Sequence, residues 1–407
     1  MAYLARPNRC EPIPELGESQ YSGPTTTESS QEALMSRKRP PQTLDFSRIK
    51  RVLIIKLRHH GDVLITSPMF STLKRQHPHL EVDALVYSDT AAMLEEHPQL
   101  NQLHRIDRHW KHLGLKGQIS AEWSLLKQLK DKRYDLILHM TDHWRGLTLV
   151  KLLKPSYSIT QCHVMRQGKF WKNTFDYNYP INYKKRHMVE KHLDALRHVG
   201  LYPDTNDKRM VAKAGSSAEA AVSEKLKNAG LAAGGYIHIH PTSRWLFKSW
   251  DTDKVAQLID RLAEQGHKIV LTAAPSEPEM AMIEEILSKV TQTVTNFCGQ
   301  LSLKELMALI QQAKLLIGVD SVPMHIASAT DTPCLAFFGP SNELEWSPWM
   351  NQHTILSSDH SCRPCDLAGC GDGRKSECMS AIPVTRALQA VNELLQSSQP
   401  VSLRDAL

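Results

Sequence analysis

Residues 315–341 read LLIGVDSVPMHIASATDTPCLAFFGPS, and their order decides the fold class. An apolar run, Leu315 to Ile317, stops at Gly318. Asp320 and Ser321 follow where a helix should begin, since short polar side chains satisfy the free N–H groups of a first turn. His325 comes within the next turn among small residues. A second apolar run, Cys334 to Phe338, closes on Gly339-Pro340-Ser341. Strand, loop, helix, strand, loop is one βαβ unit of a parallel sheet. Ligands of such sheets gather at the carboxyl ends of the strands, where Asp320 and Ser341 belong. A helix starting at Ser321 would turn its free N–H groups and positive dipole end toward an anion.

The same alternation extends in both directions. Upstream, strands are expected at 236–240, 268–272 and 294–297, separated by helices at 252–265 and 279–290. In the first half, strands at 52–57, 81–87, 103–106, 135–139 and 158–162 alternate with helices at 63–76, 89–96, 121–132 and 145–153. This is the pattern of two doubly wound α/β units. Pro, Ser, Thr, Gln and Glu dominate residues 1–47, which are expected to lack structure. The expected division is an extension at 1–47, domains at 48–205 and 206–383, and a terminal helix and tail at 384–407.

Composition narrows the class. The 407 residues are 41% hydrophobic, and no run is long and apolar enough to span a bilayer. The N-terminus lacks a basic, apolar signal sequence, so a cytoplasmic location is expected. Residues 51–200 hold 24 Lys and Arg against 14 Asp and Glu. Such a surplus suits a phosphorylated glycolipid or a membrane surface, or is an ordinary solvated basic face. No nucleic-acid motif accompanies it, so nucleic acid is not an expected partner. Residues 163–186 mix Phe170, Trp171, Phe175, Tyr177, Tyr179 and Tyr183 with Lys and Arg. They form either a partner-binding loop or an aromatic loop packed on its own domain.

The pattern D-S-x-x-x-H-x-A-x-A-x-x-x-P from Asp320, followed by Phe-Gly-Pro-Ser, resembles the ADP-heptose lipopolysaccharide heptosyltransferases, glycosyltransferase family 9. RVLIIKLRHHGDVLITSP at 51–68, HIHPTSRWLFKSW at 238–250 and the cysteine-rich tail from Cys362 agree. Within that family the chain is most similar to the heptosyltransferase III type, which adds a branch heptose to the inner core. The resemblance implies a GT-B fold, two Rossmann-like domains facing a cleft, with the acceptor on the first and the donor on the second. It implies ADP-L-glycero-D-manno-heptose as donor, an inner-core lipopolysaccharide acceptor, no cofactor, and peripheral attachment at the inner face of the inner membrane. A different nucleotide sugar on the same fold, or a non-catalytic glycan-binding module, are the rival readings.

Glycosyl transfer needs a base for the acceptor hydroxyl and positive groups for the departing diphosphate. Asp62 follows Gly61 at the end of the first strand, placing a carboxylate at the sheet edge. From the residues alone it is either a base or a cap for the Val63 helix. The resemblance implies the base. Arg58, His59 and His60 share the loop and are candidate acceptor contacts. Thr242 and Ser243 end the strand at 236–240, and Lys248 follows near the next helix. Hydroxyls, N–H groups and an ammonium can together hold a diphosphate without a metal. The resemblance adds Glu277 as a ribose ligand, with Glu279 competing, and Asp320, Ser321 and His325 as donor contacts. Trp245, Phe247 and Trp250 are expected to pack the loop.

Cys362, Cys365, Cys370 and Cys378 have metal-like spacing, which leaves structural zinc and free thiols both open. Otherwise no metal is expected. The Asp-x-Asp pattern occurs as Asp251-Thr252-Asp253 at a helix start, an ordinary place for carboxylates.

Overall fold

The computed structural model describes residues 43–162, 166, 168–179, 186–371 and 374–397. In the first half, β1 (Arg51–Ile55), β2 (Glu81–Tyr87), β3 (Leu103–Ile106), β4 (Leu136–His139), β5 (Tyr157–Gln161) and β6 (Tyr177–Tyr179) form one parallel sheet. In the second, β7 (Tyr236–His240), β8 (Lys268–Leu271), β9 (Thr295–Asn296), β10 (Leu315–Val319), β11 (Cys334–Phe337) and β12 (His353–Leu356) form another. Their orders, β3-β2-β1-β4-β5-β6 and β12-β11-β10-β7-β8-β9, are the same doubly wound order seen from opposite edges. The order in which strands are added reverses between β1 and β4, and again between β7 and β10. Each reversal opens a crevice at the strands' carboxyl ends.

Side-chain alternation sorts the core. Val52 and Ile54 face one cluster, while Leu53 and Ile55 face another. The first cluster continues without a break into Tyr236, Val270, Leu316 and Ile326 of the second half, so apolar packing joins the two units. The far side of the second sheet, with Ile237, Ile239, Leu315 and Ile317, is covered by its own cluster.

The helices are α1 (His60–Leu64), α2 (Ser67–Gln76), α3 (Gly114–Lys132), α4 (Trp144–Leu153), α5 (Lys169–Lys172), α6 (Met188–Arg197) and α7 (Ser216–Asn228), continuing with α8 (Thr252–Glu264), α9 (Glu277–Lys289), α10 (Leu303–Gln311), α11 (Val322–Ala329), α12 (Glu343–Trp346), α13 (Glu377–Ser380) and α14 (Val384–Ser397). The single helix expected at 63–76 is two. Pro68 lacks an N–H and is tolerated only in a first turn, so a new helix starts around it. A 3-10 segment, Ser88–Met93, replaces the helix expected at 89–96.

One expectation needs correction, and one open alternative is decided. Residues 43–47, the end of the expected unstructured stretch, are ordered. Leu44 donates its N–H to the Val199 carbonyl at 3.1 Å, and buried Phe46 stacks on His77 at 4.8 Å. Residues 1–42 lie outside the described residues. The aromatic segment packs on its own sheet: Trp171, Phe175, Tyr177 and Tyr179 are buried, Phe170 is exposed, and Tyr183 lies outside the description.

Candidate functional site

Asp62 stands in the first turn of α1, at the β1–β4 reversal. The residue before that helix is His59, so Asp62 is not the cap, and its carboxylate turns elsewhere. Lys56 Nζ lies 3.5 Å from Asp62 Oδ1 and 3.1 Å from His192 Nε2. Lys56 follows β1 directly and is buried. Burial pushes its ammonium below the ordinary lysine range, and the Asp62 carboxylate opposes that push. Nothing in the sequence marked this lysine, because only tertiary packing buries it.

The rest of the loop forms the rim. Arg58 pairs with Asp142 from the loop after β4. His60 Nε2 lies 2.8 Å from the Asp89 carbonyl oxygen, and His59 Nδ1 lies 3.4 Å from Arg244 of the second half. Arg58, His59 and His60 therefore share a rim with Asp62.

The second half presents its own reversal, between β7 and β10. Lys248 Nζ donates to Asp320 Oδ2 at 2.6 Å, which joins two of the expected donor ligands. Thr242 Oγ1 donates to Glu279 Oε2 at 2.7 Å, and Ser276 Oγ to Glu279 Oε1 at 3.1 Å. Glu279, not Glu277, is thus the carboxylate at this strand end. Glu277 begins α9 and is exposed, whereas Glu279 two residues on is turned inward and buried. Ser243 closes a turn with Trp245, accepting from its N–H at 3.1 Å. Ser321 precedes α11 but makes no cap bond; its hydroxyl turns to the Val319 carbonyl at 3.3 Å. The first-turn N–H groups of α11 consequently have no side-chain cap.

His325 links the two units. It is buried in α11, and a Cβ added at Gly61 would lie 2.9 Å from its Cδ2. Burial lowers the His325 pKa, while the Asp320 and then the Asp62 carboxylate oppose that shift. Further contacts close the same seam. Lys191 Nζ of α6 meets Glu345 Oε1 of α12 at 2.8 Å, and His187 stacks on Trp349 at 4.3 Å. Asp366 joins the site's edge, where burial and then Glu345 raise its pKa while Lys248 lowers it. The arrangement places a carboxylate from one sheet opposite a cation, a histidine and an uncapped helix start from the other.

Trp250 is core, stacked on Phe337 at 4.7 Å, while Trp245 is half exposed beside Phe247. Cys362, Cys365, Cys370 and Cys378 are free thiols, the first exposed and the last buried. Among the described residues no three His, Cys, Asp or Glu side chains are grouped to hold a metal ion. The zinc alternative is therefore not carried by this geometry.

Comparison with known proteins follows the same lines. The model of glycosyltransferase family 9 (heptosyltransferase) matches residues 122–374. Lipopolysaccharide heptosyltransferase 3 of Escherichia coli (strain K12) is 35% identical over 357 residues, 86% of this chain and 99% of that protein. Among solved structures, the glycosyl transferase family 9 protein from Veillonella parvula DSM 2008 superposes with a TM-score of 0.75 at 20% identity, covering 88% of this chain and 100% of that one. E. coli ADP-heptose lps heptosyltransferase II gives 0.67 at 18% identity, covering 86% of this chain and 100% of that one. Both structural likenesses establish the fold, two Rossmann-like domains of GT-B type.

Proposed function

Because this chain belongs to glycosyltransferase family 9, the heptosyltransferases, we propose that it moves heptose from ADP-heptose to the inner core of lipopolysaccharide. The reaction is of the heptosyltransferase III type, adding a branch heptose to a core heptose. Transfer is inverting and needs no metal. Residues 48–205 hold the acceptor and residues 206–383 the donor. The protein works peripherally at the cytoplasmic face of the inner membrane. Among the described residues no helix is long and apolar enough to cross a membrane.

One observation carries the reading: Gly61, next to Asp62 on the first reversal, packs against His325 of the second, whose imidazole feels both the Asp62 and the Asp320 carboxylates, with Lys248 paired to Asp320. In the proposed step Asp62 takes the proton of the acceptor hydroxyl as its oxygen bonds to the anomeric carbon. The bond from that carbon to the diphosphate breaks, and ADP leaves on the opposite side. Lys248 exchanges Asp320 for the departing diphosphate, aided by the uncapped N–H groups of α11. Thr242 and Ser243 border the diphosphate, and Glu279 takes the ribose position expected of Glu277. Asp320, Ser321 and His325 contact heptose and phosphate, while Arg58, His59 and His60 meet the acceptor.

The test is ADP release by purified protein given ADP-heptose and a deacylated core acceptor lacking its branch, with and without a chelator. Acceptor-dependent release that survives chelation is expected. Release only from another sugar nucleotide would keep the fold and overturn the substrate. Release abolished by chelation would overturn the metal-free step.

A further inference from the structure

Helix α3 changes surroundings halfway along. Its C-terminal half buries Leu125, Leu126 and Leu129 against the first sheet. Ile119 and Leu126 are seven positions apart and share one helix face, so the apolar stripe runs on toward the N-terminus. There it is bare: Leu115 is 77% exposed, Ile119 58% and Trp123 67%. The Arg145–Glu122 ion pair ties α4 to α3 and brings up Trp144, whose ring lies 6.3 Å from that of exposed Phe170. Single exposed apolar residues are ordinary, but a row of this length marks an interaction face.

Charge identifies what covers it. Residues 109–172 carry twelve Lys and Arg against four Asp and Glu. Of those four, Glu122 and Asp142 are already paired with Arg145 and Arg58. Lys151 lies over the Phe170 ring at 3.7 Å and Arg166 over Trp144 at 5.3 Å, so cationic heads rise directly beside the apolar surface. A second copy of this chain would oppose like charges across the contact. An anionic bilayer satisfies both features. Apolar side chains and Trp enter the headgroup boundary, and Lys and Arg reach lipid phosphates.

We infer that this face, built from Leu115, Ile119 and Trp123 of α3 with Trp144 and Phe170, docks the protein onto an anionic lipid surface. The inference deepens the proposed function and rests on it for the lipid-borne acceptor.

The test is co-sedimentation of the full chain with vesicles of phosphatidylethanolamine and phosphatidylglycerol, beside vesicles of phosphatidylcholine. Binding to the anionic vesicles alone, weakened by salt, is expected. The double variant Ile119→Gln/Trp123→Gln, which keeps good helix formers, should bind about tenfold less or weaker still. Its unfolding midpoint and its turnover of a deacylated acceptor should be unchanged. A second variant, Lys151→Glu/Lys169→Glu, should lose binding through charge alone. Equal vesicle binding by wild type and variants, or no binding by wild type, overturns the inference. So does a dimer in light scattering that the Gln variant dissolves, since a second copy would then cover the face. Vesicle binding without ADP release from ADP-heptose would leave the docking face standing and sink the transferase reading; turnover without vesicle binding would do the reverse.

Discussion

Gly61 of the first unit and His325 of the second are in direct contact, with room for a hydrogen and none for a methyl: an added Cβ would lie 2.9 Å from His325 Cδ2. Gly61 lies within helix α1 and its backbone is not left-handed, so alanine there is conformationally easy. Gly61→Ala gains about 0.5–1 kcal/mol in helix propensity but loses about 1–3 kcal/mol where the methyl meets buried His325, so the unfolding midpoint should fall slightly. By pushing Asp62 away from His325 it should lower kcat/KM by about 10–100-fold. Calorimetry and steady-state kinetics on one preparation check both halves of this prediction.

Lys248 is held 2.6 Å from Asp320. If it transfers to the leaving diphosphate, Lys248→Ala should reduce kcat/KM by on the order of a hundredfold. The KM for ADP-heptose should rise, and the acceptor KM should stay near its wild-type value. A change confined to the acceptor KM would remove Lys248 from the donor side.

Lys56 touches Asp62 from within the core, which makes it a positioning residue for the base. Without that contact the Asp62 side chain is no longer held in the reacting geometry, so Lys56→Met should lower kcat/KM by about tenfold with ADP affinity and the unfolding midpoint near their wild-type values. A loss of rate matched by a lowered unfolding midpoint would indicate a purely structural lysine.

His187 ties the seam in its neutral form. Its Nδ1 accepts from the Val189 N–H at 3.2 Å, and its Nε2 lies 2.9 Å from the Ser347 carbonyl oxygen. Burial holds its pKa down at about 4, against 6.5 ordinarily. The unfolded chain takes up this proton as pH falls through 6.5, and the folded chain refuses it until about 4. The stabilisation is therefore complete above pH 6.5 and is lost progressively between 6.5 and about 4. His97 and His240, also held at about 4, act in the same sense. The unfolding free energy should fall with acidification by up to about 1.4 kcal/mol per pH unit for each such group. His187→Gln should flatten the slope by up to about one proton.

How far the sequence carried this picture depended on what each residue's meaning required. Strands such as 81–87 and 236–240 were legible because β-branched and apolar runs ended at turn residues. β12 was not: His353-Thr-Ile-Leu356 is too short to alternate, and it owes its place to pairing with β11. α3 begins at Gly114 rather than at 121, since Gly114 and Gly117 and a bare apolar face hide a helix start. Glu277 and Glu279 differ only in which face of α9 they occupy, which motif spacing cannot tell. Asp62 was visible as a candidate, yet its freedom from capping duty appeared only with His59 ahead of the helix.

The central claim is that Asp62 removes the acceptor proton. Its most direct test compares wild type with Asp62→Ala for ADP release from ADP-heptose in the presence of acceptor, with ADP affinity measured on both. The account predicts release reduced by about 10²–10⁴-fold at unchanged ADP affinity. Turnover by Asp62→Ala within a few-fold of wild type would contradict it.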